Sequence, residues 1–268
     1  MTTRLSVLFA VALLAVTARA EAQFRPQASG PEDYHVELGV MFWQPDPELT
    51  LTTGDVNVGT VDFVQEFGIG KERFRDVRAV LKGGRHKVRF GYTPIRYDQD
   101  AVLTRTITFQ NVTFPVTADA NANINWDVYR FGYEFDIISR DRGFLGIVGE
   151  LKYNKVKADV TATGPVQGSV QTLTASVDEK PPIPTVGVAA RGYLAKYVSV
   201  SGEFTAFKYE NDEFIGKFYD FDIQATAHLG RNLGASVGYR SLDVDFLVDG
   251  DAGTMKMKGP YVGGFLRF

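Results

Sequence analysis

Cysteine is absent from the 268 residues, so the chain has no disulfide framework, thiolate metal site, cysteine nucleophile or lipid-modified N-terminal cysteine. Histidine is scarce: His35, His86 and His228 are far apart in the sequence and leave little material for a zinc site. The formal charge is −3, from 29 Lys plus Arg against 32 Asp plus Glu. No overall basic field exists to hold a nucleic-acid backbone, and nucleic acid is not an expected partner. Beyond Ala18 no apolar run approaches the 18 or so residues of a membrane helix. A chain with this sequence that crosses a membrane must therefore do so as a closed β-barrel.

What is present begins with an export pattern. Arg4 supplies a basic start, Leu5 to Ala18 an apolar stretch, and Ala18-Arg19-Ala20 or Ala20-Glu21-Ala22 a small-residue cleavage site. The apolar stretch is too short for a membrane anchor. Residues 1–22 are thus expected to be a signal peptide and 23–268 one β-barrel domain.

From Tyr34 onward apolar residues recur at every second position. Tyr34, Val36, Leu38, Val40 and Phe42 share one face, while His35, Glu37, Gly39 and Met41 share the other. The period returns near Val77, Val88, Tyr129, Leu145, Val186, Val198, Tyr219, Ala235 and Val262, which predicts ten strands, with eight or twelve as alternatives. A soluble sandwich also alternates, but the connections discriminate. Tight turns at Gly83-Gly84, 139–143, 194–196 and 230–232 alternate with the longer connections 44–71, 98–123, 158–182, 211–216 and 248–254. Short turns at one end and long loops at the other is the arrangement of an outer-membrane barrel, turns toward the periplasm. Charge sorts likewise: the long connections hold fifteen acids against Lys71, Arg105 and Lys180, whereas the tight turns are basic.

A two-residue Gly83-Gly84 turn predicts Val77 opposite Phe90, Ala79 opposite Val88 and Arg78 opposite Arg89. A turn centred on Arg231 sets Asp222 opposite Arg240. Because a lipid-facing Arg near the midplane costs roughly 2–4 kcal/mol, the polar faces must point into the lumen. The expected lumen network is Glu37, Arg78, Arg89, Arg130, Glu134, Glu150, Lys152, Arg191, Glu203, Asp220, Asp222 and Arg240.

The chain closes on Gly259-Pro260-Tyr261-Val262-Gly263-Gly264-Phe265-Leu266-Arg267-Phe268, an amphipathic strand with a terminal aromatic. Here it resembles bacterial outer-membrane β-barrel proteins, and in its whole organisation a small family of such barrels. The resemblance implies that Tyr261, Val262, Leu266 and Phe268 are read by the barrel assembly machinery during insertion. It brings no activity with it.

Candidate chemistry is sparse. Asp220 and Asp222 form an acid pair on one strand face, but Asp222 opposite Arg240 points to a packed polar lumen. Asp243, Asp245, Asp249 and Asp251 lack the spacing of a calcium loop and read as a solvated rim. No Ser and His are brought together by the predicted register, so no catalytic, cofactor or metal residues are expected. Phe63 and Phe67, at i and i+4, suggest a short helix over or inside the mouth, and Val102 to Phe114 a hairpin extended above the membrane. The expected protein is an all-β, antiparallel, up-and-down transmembrane barrel of the Gram-negative cell outer membrane, in contact with bilayer and lipopolysaccharide. It is not expected to be an enzyme. Its expected role is structural or surface-interacting; a narrow pore for small solutes or ions is the alternative, and an envelope-modifying enzyme ranks below both.

Overall fold

The computed structural model describes residues 32–52, 60–110, 112–166, 169–211, 214–248 and 251–268. The expected signal peptide, residues 1–22, lies outside them, as does Asp249. In chain order the elements are β1 (Val36–Trp43), β2 (Asp46–Thr52), β3 (Thr60–Asp62), α1 (Phe63–Phe67), β4 (Phe74–Gly83), β5 (His86–Val102), β6 (Ile107–Phe109), β7 (Val112–Phe114), β8 (Asp119–Arg140), β9 (Gly143–Val166), β10 (Ser169–Glu179), β11 (Pro182–Ala195), β12 (Val198–Glu210), β13 (Phe214–Leu229), β14 (Leu233–Val248) and β15 (Asp251–Arg267).

Ten strands form a ring in the order β1-β4-β5-β8-β9-β11-β12-β13-β14-β15, and β15 pairs back onto β1, so the antiparallel sheet closes. Closure gives every spanning backbone group a partner without water. Two staves of the wall are interrupted. Gln44-Pro45 separates β1 from β2, which both pair with β15, and residues 180–181 separate β10 from β11, which both pair with β9. At the first break Gly259 is required, because a Cβ there would overlap the carbonyl of Gln44.

Alternation then sorts the side chains. Leu38, Val40, Phe42, Val77, Val88, Phe90, Phe131, Ile147, Leu151, Val188, Phe204, Phe221, Ile223, Val237 and Val262 are exposed on the outside. A continuous apolar belt of this kind, which also carries Tyr133, Tyr153 and Tyr239, is the surface that lipid covers.

The first tight turn differs from expectation. Gly84 takes φ 62° at the first central position, while Arg85 stays in the ordinary negative range. That is the preference of a type II′ turn, and it leaves Gly83 in the strand. Val77 therefore pairs with Tyr92, Ala79 with Phe90, and Arg78 with Gly91 rather than Arg89. The slip is two residues, so every side chain keeps its face. A Cβ at Gly91 would meet the Arg130 guanidinium and force it to shift. In the later hairpin Asp222 does lie opposite Arg240.

The long connections are largely strand. β8 has 22 residues and β9 has 24, against the 9–11 that a tilted transmembrane strand needs. The surplus extends about 40 Å along the strand, so one side of the wall stands well above the membrane. Beyond Val102, which ends β5, the stretch that leads to Phe114 leaves that wall. β6 and β7 form a separate two-stranded hairpin, because Ile107, Phe109 and Phe114 are all buried against other parts of the chain.

Candidate functional site

The inward faces in the periplasmic half carry the charged residues. Asp76, 1% exposed, is the hub. It accepts from Arg78 (Nη2, 2.8 Å), Arg130 (Nη2, 3.0 Å) and Arg240 (Nη1, 3.0 Å). Arg78 also reaches Asp222 at 2.8 Å. Arg240 grips Asp220 with two parallel bonds of 3.0 and 2.8 Å, and Lys152 joins the same carboxylate at 2.6 Å. Arg89 bridges Glu134, at 3.1 Å, and Glu203. Lys87 donates to Glu134 at 2.7 Å and Asp136 at 2.9 Å, and Glu150 lies 3.3 Å from Lys152. Buried charges persist only when paired and hydrogen-bonded in this way.

The periplasmic mouth is closed by the segment that precedes β1. Tyr193 donates its hydroxyl to Glu32 at 2.9 Å, Arg191 reaches the same carboxylate at 3.2 Å, and Lys82 donates to the Glu32 carbonyl at 2.6 Å. Burial alone would raise the Glu32 carboxyl, but Arg191, Lys82, Arg267 and the Tyr193 hydroxyl outweigh it and bring it down to about 2. Glu37 takes Arg267 at 2.6 Å and Arg191 at 3.5 Å.

Toward the outside the inward face becomes apolar on strand after strand. Beyond Asp220 comes Phe218, beyond Arg240 Leu242, beyond Arg130 Val128 and Trp126, and beyond Tyr261 Met257, all buried. The connections fold down onto this ring. Asp62 caps α1 by accepting from the amides of Val64 and Gln65, Gly68 ends it at φ 68°, and Phe63 and Phe67 are buried. Phe63 stacks on Phe67 and meets Phe109 edge-on at 5.9 Å. Phe109 and Phe114, at 0% exposure, belong to the same cluster as Ile95, Ile124, Trp126 and Val160 of the wall. The mouth is thus filled by an apolar plug.

Within the charged layer, below the plug, lies a cavity of about 90 Å³, lined by Arg78, Lys87, Arg89, Arg130 and Arg191 together with Glu37, Glu134, Glu150, Glu203 and Asp222. Charge around it balances.

The expected lumen residues are therefore brought together, with Glu37, Arg191 and Arg267 as a cluster at the periplasmic end. Arg78 is neutralised by Asp76 and Asp222. Asp76, Lys82, Lys87, Asp136 and Arg267 join the network beyond the residues expected for it. Asp76 and Lys87 were findable, since each shares a face, two residues away, with an Arg already placed inside. Of the terminal-strand residues, Val262, Leu266 and Phe268 are exposed, whereas Tyr261 is buried and donates to Asp222 at 2.5 Å.

One pairing was not foreseen. Ser199 Oγ and His228 Nε2 are 2.9 Å apart, because the residues are diagonal neighbours across β12 and β13. Both are buried, and Tyr193 and Phe265 pack on the imidazole. No carboxylate is hydrogen-bonded to that ring among the described residues, so the third member that orients a catalytic base is missing there. No group of three or more His, Asp or Glu placed to hold a metal occurs among the described residues. Asp245 instead accepts from Thr254 at 2.8 Å.

No protein-family model matches the sequence, and no curated protein does either. The structure is similar to that of the outer membrane protease OmpT from Escherichia coli, with a TM-score of 0.60 and 8% identity over 90% of this chain and 99% of that one. At that identity the likeness is one of fold. More distant are the translocator domain of the autotransporter NalP from Neisseria meningitidis (TM-score 0.48, 12% identity, 100% of this chain and 97% of that one) and Ail, the attachment invasion locus protein of Yersinia pestis (TM-score 0.34, 9% identity, 88% and 99%). The chain has the fold of an outer-membrane β-barrel protein with ten strands.

Proposed function

We propose that this barrel is a non-conducting, non-enzymatic protein of the Gram-negative outer membrane, with a structural or surface-interaction role. It is anchored among phospholipid and lipopolysaccharide and inserted by the barrel assembly machinery through its last strand. The observation that carries the reading is the apolar plug of Phe63, Phe67, Phe109 and Phe114 in the mouth above a lumen whose charges are paired. A conducting path requires a continuous column of water, and buried aromatic side chains exclude it. What such a barrel offers its surroundings is the wall above the membrane, where Asp98, Asn121, Asn123, Asp159, Thr161 and Ser176 form a polar outer sheet face.

The competing reading is a narrow pore for small solutes or ions, built around the cavity and its arginines. Ten strands leave a lumen whose side chains decide between the two. Single-channel recording separates them. Folded protein, verified by a heat-modifiable gel shift and inserted in a planar bilayer, is expected to stay silent. Discrete, ion-selective steps that change on Arg78→Ala or Arg89→Ala would overturn the proposal.

A further inference from the structure

We propose that the outer wall just above the lipid belt, across β4, β5, β8 and β9, binds the diphosphorylated disaccharide headgroup of an outer-leaflet glycolipid, the lipid A part of lipopolysaccharide. The inference deepens the placement of the barrel among lipopolysaccharide and does not depend on whether the lumen conducts.

The level is set by an aromatic row. Tyr92, Tyr129 and Tyr153 lie side by side across three strands, with ring centroids 4.9 Å apart in the first pair and 6.4 Å in the second. Outward tyrosines of this kind mark where acyl chains give way to headgroups. Two residues farther up each strand the next row reads Pro94, Asp127, Lys155, and the row after it Arg96, Asn125, Lys157. Val77 pairs with Tyr92, so the same register carries Arg75 of β4 to the level of Pro94. Arg75, Arg96, Lys155 and Lys157 are all exposed on this surface.

Their charge is only partly cancelled locally. Asp127 is engaged by the Tyr92 hydroxyl at 2.8 Å and by Arg96. Arg96 also donates to the carbonyls of Ile95 at 2.8 Å and Trp126 at 3.2 Å, which holds its guanidinium against the wall. Asp159 is matched by Lys157 at 2.9 Å. No ion pair takes up Arg75 or Lys155 among the described residues. Two other outward cations differ: Lys208 sits 3.2 Å from Glu210 and Lys256 3.8 Å from Glu48.

The two uncompensated cations stand three strand spacings apart, about 14 Å, with Arg96 between and above them. That spacing suits a ligand with a phosphate at each end of a disaccharide. Arg75 and Arg96 offer planar two-bond contact to phosphate oxygens, and Lys155 a compact charge. A phospholipid with a single phosphate diester, such as phosphatidylglycerol, can satisfy only one end, so the arrangement favours a headgroup with two phosphates.

The test is native mass spectrometry of the folded barrel in detergent with diphosphorylated lipid A, monophosphorylated lipid A or phosphatidylglycerol at equal concentration. The wild type is expected to retain the diphosphorylated lipid about tenfold better than either of the others. Arg75→Gln/Lys155→Gln is expected to lose that preference, each single variant to show part of the loss, and Lys208→Gln/Lys256→Gln to keep it. Equal retention of the three lipids, or an unchanged preference in the Arg75/Lys155 variants, would overturn the site. A barrel that is folded by gel shift yet enters no vesicle, whatever the lipid, would overturn the membrane placement instead.

Discussion

The lower and upper halves of this barrel are built on the same alternation with opposite polarity. On β8 the lower half turns Phe131 and Tyr133 outward and Arg130 and Glu134 inward. Higher on the same strand Trp126, Ile124 and Ala122 are buried inside, while Asn125, Asn123 and Asn121 face out. The parity never changes; the surroundings do. Below, lipid lies outside and an ion-pair network inside, whereas above, water lies outside and an apolar plug inside. A single strand can serve both because pleating separates its two faces completely. The inversion marks the bilayer surface without any other landmark.

The largest expected effect comes from breaking the lower half at its hub. Asp76→Ala leaves three guanidinium groups facing a vacated carboxylate, and removal of one partner from a buried ionic cluster costs about 3–5 kcal/mol. Urea unfolding in lipid vesicles, followed by the fluorescence of Trp43 and Trp126, measures it. A loss below about 1 kcal/mol would mean that Asp220 and Asp222 suffice for all three arginines.

Breaking the upper half has a different signature. Phe109→Ala removes a fully buried ring from the plug and is expected to cost about 3 kcal/mol. The wall strands pair independently of it, so the loss falls on the plug. Limited proteolysis is expected to cut the β6–β7 hairpin sooner while the heat-modifiable shift stays. Loss of that shift would show that the plug holds the barrel together.

The third test addresses the periplasmic closure by pH. The Glu32 carboxyl is depressed from 4.5 to about 2 in the folded protein. A depressed acid stabilises fully above its unfolded value and loses that stabilisation as pH falls through its folded value. The contribution, about 3 kcal/mol, is therefore expected to be intact above pH 4.5, to decline between 4.5 and 2 and to be absent below. Glu32→Gln should remove this part of the acid sensitivity. An unaltered pH profile in that variant would show that the segment before β1 does not hold the mouth.

These halves were unequally legible in the sequence. The ten spanning strands and the ionic interior could be read because lipid forbids charge on one face, so each Arg or Glu declares its side. The upper wall reads as loops in the sequence for the converse reason. Ala158, Val160 and Ala162 alternate with Asp159, Thr161 and Thr163 as regularly as any lower segment, but their outward face is polar, so a search for apolar outward faces passes over them. The two-residue slip at Gly84 was invisible because it preserves parity. Asp76 was missed because it stands just before the apolar run that defined its strand.

The smallest expected effect is the sharpest test of the inversion, because one substitution is made twice on the same outer surface. Val88→Arg puts a guanidinium into the lipid belt and is expected to cost about 2–4 kcal/mol. Thr161→Arg puts the same group on the outward face of β9 above the Tyr153 level, where water solvates it and where a surface change stays within about 0.5 kcal/mol. Parallel urea titrations of the two variants in vesicles give the difference directly. Equal costs would move the bilayer boundary above Thr161, and the polar sheet face would then be buried in lipid. Two silent substitutions would mean that Val88 never meets acyl chains, and the belt itself would have to be assigned to another environment.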